Sequence, residues 1–190
     1  MPHALQMDNE LAFRGSNRYP RSFGTVVRFA LAMGIAPVFI PVAEPWWNGI
    51  IERFNNTYDK RFYRSRNFAD FDQLKQANSE FSHFHNSHHR YSTLDHKTPN
   101  QMHQQMLASI FYDGRFNVEQ RIPLLEGKSY FVRFIRSDCK LPLPNESFPV
   151  DSSLKYSYVV AQISVENHCL HVMQNNNVVQ NIEYSMPVDW

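Results

Sequence analysis

Asp8 closes a short apolar run, Ala4-Leu5-Gln6-Met7, and Glu52 falls in the first turn of an apolar-striped segment that begins near Asn48. A carboxylate at the end of a strand and another at the start of a helix are oxygen donors that suit a hard divalent cation such as Mg2+, with water filling the remaining positions. Metal held by shared carboxylates can activate an attacking oxygen on one side of a phosphate and stabilise the leaving oxygen on the other. With 43 residues between Asp8 and Glu52, spacing alone does not pair them, because isolated acids mostly sit solvated at the surface. The reason to pair them has to come from their neighbours.

Several other residues carry candidate chemistry. Arg53, Thr57, Lys60 and Arg64 line one side of the segment that Glu52 starts, apart from the apolar series Ile50, Phe54, Tyr58 and Phe62. The three basic residues are either an ordinary solvated face or contacts to phosphate, which position DNA without reading its sequence. Trp46 and Trp47 could stack on a base, yet a tryptophan pair ahead of a helix is more often packing, and packing is the preferred reading. Asn48 reads as a helix cap, and its place beside Glu52 also suits a supporting role near a metal. His83, His85, His88 and His89 raise the question of zinc, but their spacing spreads them around a helix axis and no cysteine joins them. They read as a polar helix end whose dipole favours histidine.

The elements that must position these groups follow from the apolar pattern. Ala4 to Met7 reads as a strand that Asp8-Asn9 ends. Arg14 to Ser22 is a polar loop, and Phe23 to Met33 has helical spacing, with Ser22 as its candidate cap and Gly34 as its stop. Ala36 to Val42 is a buried-strand candidate bracketed by Pro37 and Pro41. A helix starts near Asn48, another spans roughly Phe71 to His88, and a short one runs from Pro99 to Leu107. After Gly114 the pattern alternates. Tyr130 to Arg136, Tyr156 to Val165, Cys169 to Met173 and Val178 to Tyr184 read as strands, with Asn175-Asn176-Asn177 as a turn. On strand parity Arg133 and Arg136 lie on different faces, so only one of them can face solvent.

Composition narrows the class. A hydrophobic fraction of 43% supports packed cores and excludes a wholly disordered chain. The net charge of +1 argues against binding nucleic acid by overall basicity. Local charge carries more information: residues 53–66 hold five basic residues against one acid, whereas residues 113–190 hold seven against nine, so phosphate contact is expected in the first half. Two cysteines make no disulfide framework. The longest apolar run, Phe29 to Ala43, is short of a membrane span and broken by Gly34, Pro37 and Pro41, and the first residues do not read as a secretion signal. An intracellular protein without membrane contact is expected.

Three stretches together supply the missing reason to pair the acids: Asp8-Asn9; Gly34-Ile35-Ala36-Pro37-Val38-Phe39-Ile40-Pro41; and Pro45-Trp46-Trp47-Asn48-Gly49-Ile50-Ile51-Glu52-Arg53. This ordered set resembles the second half of the catalytic core of retroviral-type integrases and bacterial insertion-sequence transposases. Asn86 to Leu94 and Thr98-Pro99 resemble a further segment of that family. The resemblance covers about residues 1–107, and more loosely the tail, whose β pattern is similar to a small carboxyl-terminal barrel.

The resemblance implies a ribonuclease H-like α/β fold in which Asp8 is the second and Glu52 the third acid of an Asp-Asp-Glu triad holding Mg2+ or Mn2+. Asn9 and Asn48 would support the site, and Arg53, Lys60 and Arg64 would contact DNA. It also implies strand cleavage and strand transfer between transposon ends and target DNA, by a homo-oligomer in the bacterial cytoplasm associated with the nucleoid. The expected organisation is part of the catalytic core at 1–66, a helical extension at 67–112 and a small β-barrel-like domain at 113–190. Two departures accompany the resemblance. The stretch between the acids is longer than in retroviral members, an excess assigned to the Arg14 to Ser22 loop. The family's first Asp lies on an earlier strand, and only seven residues precede Asp8, so the core is expected to be incomplete and the chain inactive by itself. The alternative expectation is a non-catalytic DNA-binding or regulatory fragment of a transposase.

Overall fold

The structure, a computed structural model, describes residues 2–16, 18, 21–105, 122–124 and 126–186. Positions 17, 19 and 20 of the expected loop, the end of the helix expected to reach Leu107 and the change of pattern at Gly114 lie outside the described residues. The chain divides into two units, Met1–Asn48 with Tyr112–Trp190, and Gly49–Phe111.

The first unit is built on a sheet. Its elements are β1 (Ala4–Met7), α1 (Leu11–Arg14), α2 (Thr25–Ala32), β2 (Ala36–Phe39), β3 (Lys128–Phe134), β4 (Lys140–Leu143), β5 (Glu146–Pro149), β6 (Tyr158–Ser164), β7 (Cys169–Gln174) and β8 (Asn177–Glu183). Six strands pair in the order β1-β2-β3-β6-β7-β8, and β4 pairs with β5 as a separate hairpin. β1, β2 and β3 run parallel, whereas β3, β6, β7 and β8 form an antiparallel meander.

This differs from the expected barrel-like module at 113–190, because β3 continues the sheet begun by β1 and β2. The junction has a packing cause. Phe39 and Phe131 are register partners, and their rings stack 4.6 Å apart with only 6° between planes, both buried. Phe131 alternates with Ser129 and Arg133 on the inward face of β3, so the period of two that predicted a strand also sets which residues meet β2. Above this face α2 buries Val27 and Leu31 in the same core. Gly127 enters β3 at φ +110°, where an added Cβ would lie 2.8 Å from Leu31 Cδ2, so glycine is what permits helix and strand to approach there.

The expected boundaries shift at several points. α2 is capped by Gly24, without a side-chain bond, rather than by Ser22. β2 stops at Phe39 rather than Val42. The β4–β5 hairpin was not expected, since Pro142, Pro144 and Pro149 obscure the alternation; Asn145, at φ +67°, makes its turn. The asparagine turn before β8 holds Asn175 and Asn176 at φ +50° and +64°, the left-handed pair that tight hairpins require.

The second unit is helical, with α3 (Gly49–Tyr58), a π-helical turn (Asp59–Tyr63), α4 (Phe71–His88) and α5 (Pro99–Gln105). Aromatic rings make its core: Phe81 meets Tyr58 at 5.4 Å and Phe62 at 5.2 Å, and Phe62 is fully buried. A series repeating every four residues drifts around a 3.6-residue helix, and the wider π turn takes up that drift before Phe62. Asp70 caps α4, accepting from the Gln73 N–H at 2.8 Å.

Candidate metal and DNA-contacting residues

Because β1, β2 and β3 are parallel, the segments leaving their carboxyl ends emerge at one edge of the sheet: Asp8 after β1, Pro41 to Glu44 after β2, and Arg136 after β3. Asp8 is half-buried, and its Oδ1 accepts the backbone N–H of Glu10 at 3.0 Å, a turn that fixes the carboxyl group relative to the strand.

Asn9 holds that turn to the sheet. Its Nδ2 donates to the Ile40 carbonyl at 2.7 Å, its Oδ1 accepts from Arg133 Nη2 at 2.7 Å, and its carbonyl accepts from Arg14 Nε at 2.8 Å. Arg133 is the hub of this arrangement. Only 2% exposed, it also donates to the carbonyls of Pro142 at 2.8 Å, Ile40 at 3.0 Å and Val132 at 2.8 Å. Burial, and then the charge of Arg14, push its pKa down to about 10. A planar fork of donors suits a cluster of carbonyls that a point-like ammonium could not serve equally. The sequence signal was its inward parity on β3, which showed one arginine of the pair facing in but not what it would hold.

Asn48, ending the single turn Pro45–Asn48, accepts from Gln6 Nε2 at 3.4 Å, and the same amide donates to the Trp47 carbonyl at 2.8 Å. This ties the turn to β1 instead of capping α3 in the expected way. The tryptophans depart from the packing reading: Trp46 is 66% exposed and Trp47 41%.

In the helical unit Glu52 is exposed in the first turn of α3. Arg53 and Lys60 are exposed as well. Arg64 is also exposed, but it is committed to Asp59, Nε to Oδ2 at 2.7 Å, which offsets its charge. His85 is buried, its Nε2 bonded to the Tyr91 hydroxyl at 2.8 Å, and its ring stacks on His89 at 4.8 Å. Burial first, then the neighbouring His89, lower its pKa. Among the described residues no group of three or more His, Cys, Asp or Glu side chains gathers as a metal cluster; His85 is buried, His89 is half-buried, and His83 and His88 are exposed.

In donor chemistry Asp8 and Glu52 fit a hard divalent cation, since each offers carboxylate oxygens. Asn9 does not add to the donors, because both ends of its amide are taken. Among the described residues no helix is long and apolar enough to cross a membrane.

A comparison with curated proteins finds no match. Residues 33–99 match the family described as integrase core domain, a stretch that contains β2, the tryptophan turn, α3 and α4. At the family level such domains serve DNA integration or transposition and use divalent metals. The match over residues 33–99, with Glu52 and Arg53 among them, supports a retroviral-type integrase or transposase core in that stretch.

Proposed function

We propose that the chain takes part in DNA integration or transposition by metal-dependent phosphoryl transfer. Water first cuts a DNA strand, one P–O bond forming as another breaks, and leaves a 3′ hydroxyl. That hydroxyl then attacks a phosphodiester of target DNA in a second displacement. Mg2+ or Mn2+, when bound, stabilises charge on the oxygens exchanged at phosphorus. Asp8 and Glu52 are the second and third acids that would hold it. Asn9 keeps the Asp8 turn in place, and Asn48 orders the approach to Glu52. Arg53 and Lys60 neutralise phosphates and align the duplex, with a smaller share for Arg64 because Asp59 already engages it.

The carrying observation is the integrase core match over residues 33–99, which includes Glu52. By the resemblance these 190 residues supply two acids of three, so they are expected to give no strand transfer unaided. A strand-transfer assay with a labelled donor end in Mg2+ or Mn2+ tests this: product from the purified chain would overturn the two-acid assignment. Binding of the same duplex, weakened by Arg53→Ala and Lys60→Ala together, is expected; a duplex ignored at low salt would sink the DNA reading altogether.

A further inference from the structure

The sheet unit carries a recess where β2 and β3 end, with a cavity of about 360 Å³. That volume is in the range of small-ligand sites, which start at roughly 300 Å³. Arg133, Arg136 and Lys140 line it against Glu44 and Asp138. The formal balance is one positive charge, but the two signs are not equally available. Glu44 accepts from Trp47 Nε1 at 3.0 Å and from the Tyr158 hydroxyl at 2.8 Å and 2.9 Å, and Asp138 Oδ1 accepts the backbone N–H of Lys140 at 3.3 Å. Arg136 and Lys140 are exposed and form no ion pair among the described residues. Glu44 is thus engaged by the neighbouring rings, Asp138 is exposed with one oxygen on a backbone N–H, and Arg136 and Lys140 face outward.

An aromatic ridge adjoins this basic mouth. Trp47 and Tyr158 lie 6.1 Å apart, and Tyr158 meets Phe134, a wall of the recess, at 5.1 Å. Tyr158 is 45% exposed and Trp46 66%. Indole and phenol faces open to solvent beside unpaired cations match a nucleotide with its base out of the duplex: every base has a face that stacks, and its phosphate needs a cation. The recess lies at the same strand ends as Asp8, joined to it through the bonds of Arg133 to Asn9.

We propose that this recess and ridge bind an unpaired stretch of DNA, with bases stacking on Trp46, Trp47 and Tyr158 and phosphate held by Arg136 and Lys140. This rests on the reading that the chain handles DNA. The aromatic ridge adds a preference for single strands that the Arg53 and Lys60 stripe does not supply.

The test titrates the whole chain with an oligothymidylate and, separately, with a blunt duplex, following tryptophan emission and anisotropy of labelled DNA. The single strand is expected to quench emission. Trp46→Ala or Tyr158→Ala should weaken single-strand binding about tenfold and leave duplex binding unchanged, whereas Tyr158→Phe, which keeps the ring, should retain it. Arg136→Ala with Lys140→Ala should flatten the salt dependence of single-strand binding by about 1.4 logarithmic units per decade of salt. Circular dichroism confirms that each variant is folded. Duplex binding with single-strand affinity indifferent to Trp46 and Tyr158 overturns the recess alone; failure of both DNAs overturns the DNA reading with it. Self-association of the chain that Trp46→Ala abolishes, with no quenching by oligothymidylate, would assign the ridge to a second copy and also overturn the proposal.

Discussion

Replacing Arg133 with methionine probes the join between the parallel strands and the tail. Arg133 donates four hydrogen bonds, to Pro142, Ile40, Val132 and Asn9. At roughly 1.5 kcal/mol each for a charged donor, these contribute about 6 kcal/mol. Against this stands the cost of burying the guanidinium. A pKa pushed from 12.5 to about 10 corresponds to a penalty on the order of 3 kcal/mol at neutral pH. Methionine removes both terms, so the net loss is about 3 kcal/mol. Lysine is expected to be no better, because it keeps the buried charge and loses the fork. Native-state hydrogen exchange read by mass spectrometry is the assay, since it resolves opening of each strand. Protection of peptides covering β1, β2 and β3 should fall about a hundredfold, with peptides of α4 as internal reference. If Arg133→Met changes strand protection by less than about twofold, or if Arg133→Lys is tolerated, the hydrogen-bonded hub does not hold the strand ends and the reasoning fails.

Other perturbations address the candidate site and the helical unit. Asp8→Asn and Glu52→Gln should each reduce or remove the rise in melting temperature that Mg2+ or Mn2+ gives the wild-type chain, because only a cation bound to the native state stabilises it; variants that keep the full rise would exclude these carboxylates as ligands. Arg53→Ala with Lys60→Ala should flatten the salt dependence of duplex binding by about 1.8 logarithmic units per decade of salt, and Arg64→Ala should change it less, since Asp59 already pairs with Arg64. An equal effect of Arg64 would show that the ion pair opens on DNA. His85 has its pKa lowered from 6.5, so its contribution to stability is present above pH 6.5 and is lost as the pH falls through the depressed value. Thermal melts of wild type and His85→Gln should therefore converge in acid, and parallel curves would refute the assignment.

Most of the elements were legible because local pattern and tertiary demand agree. α4 runs from Phe71 to His88 as expected, and the asparagine turn could be read because few residues accept positive φ. What was hidden was long-range. Nothing local to β3 says that its neighbours are β2 and β6, residues distant in sequence, and the pairing depends on Phe39 finding Phe131. Proline masked the β4–β5 hairpin for a different reason, since it breaks the alternation while still fitting an edge. The tryptophans misled because their composition argues for burial, whereas Trp46 is 66% exposed and Trp47, its indole N–H engaged by Glu44, is 41% exposed.

Asp8 and Glu52 were chosen by type and by resemblance, and the setting of Asp8 could not be read from either. A carboxylate at a strand end can serve a metal only if the strand end is held, and on β1 that holding comes from the far end of the sequence. Arg133 reaches Asn9 across 124 positions and at the same time closes on the Ile40 carbonyl, just past β2, that Asn9 itself engages. The tail therefore has a structural tie to the candidate site through one buried cation, whether or not it touches DNA. A change confined to β3 should therefore reach Asp8, because the bonds that fix the Asp8 turn run through Asn9 and Arg133 within the same sheet unit.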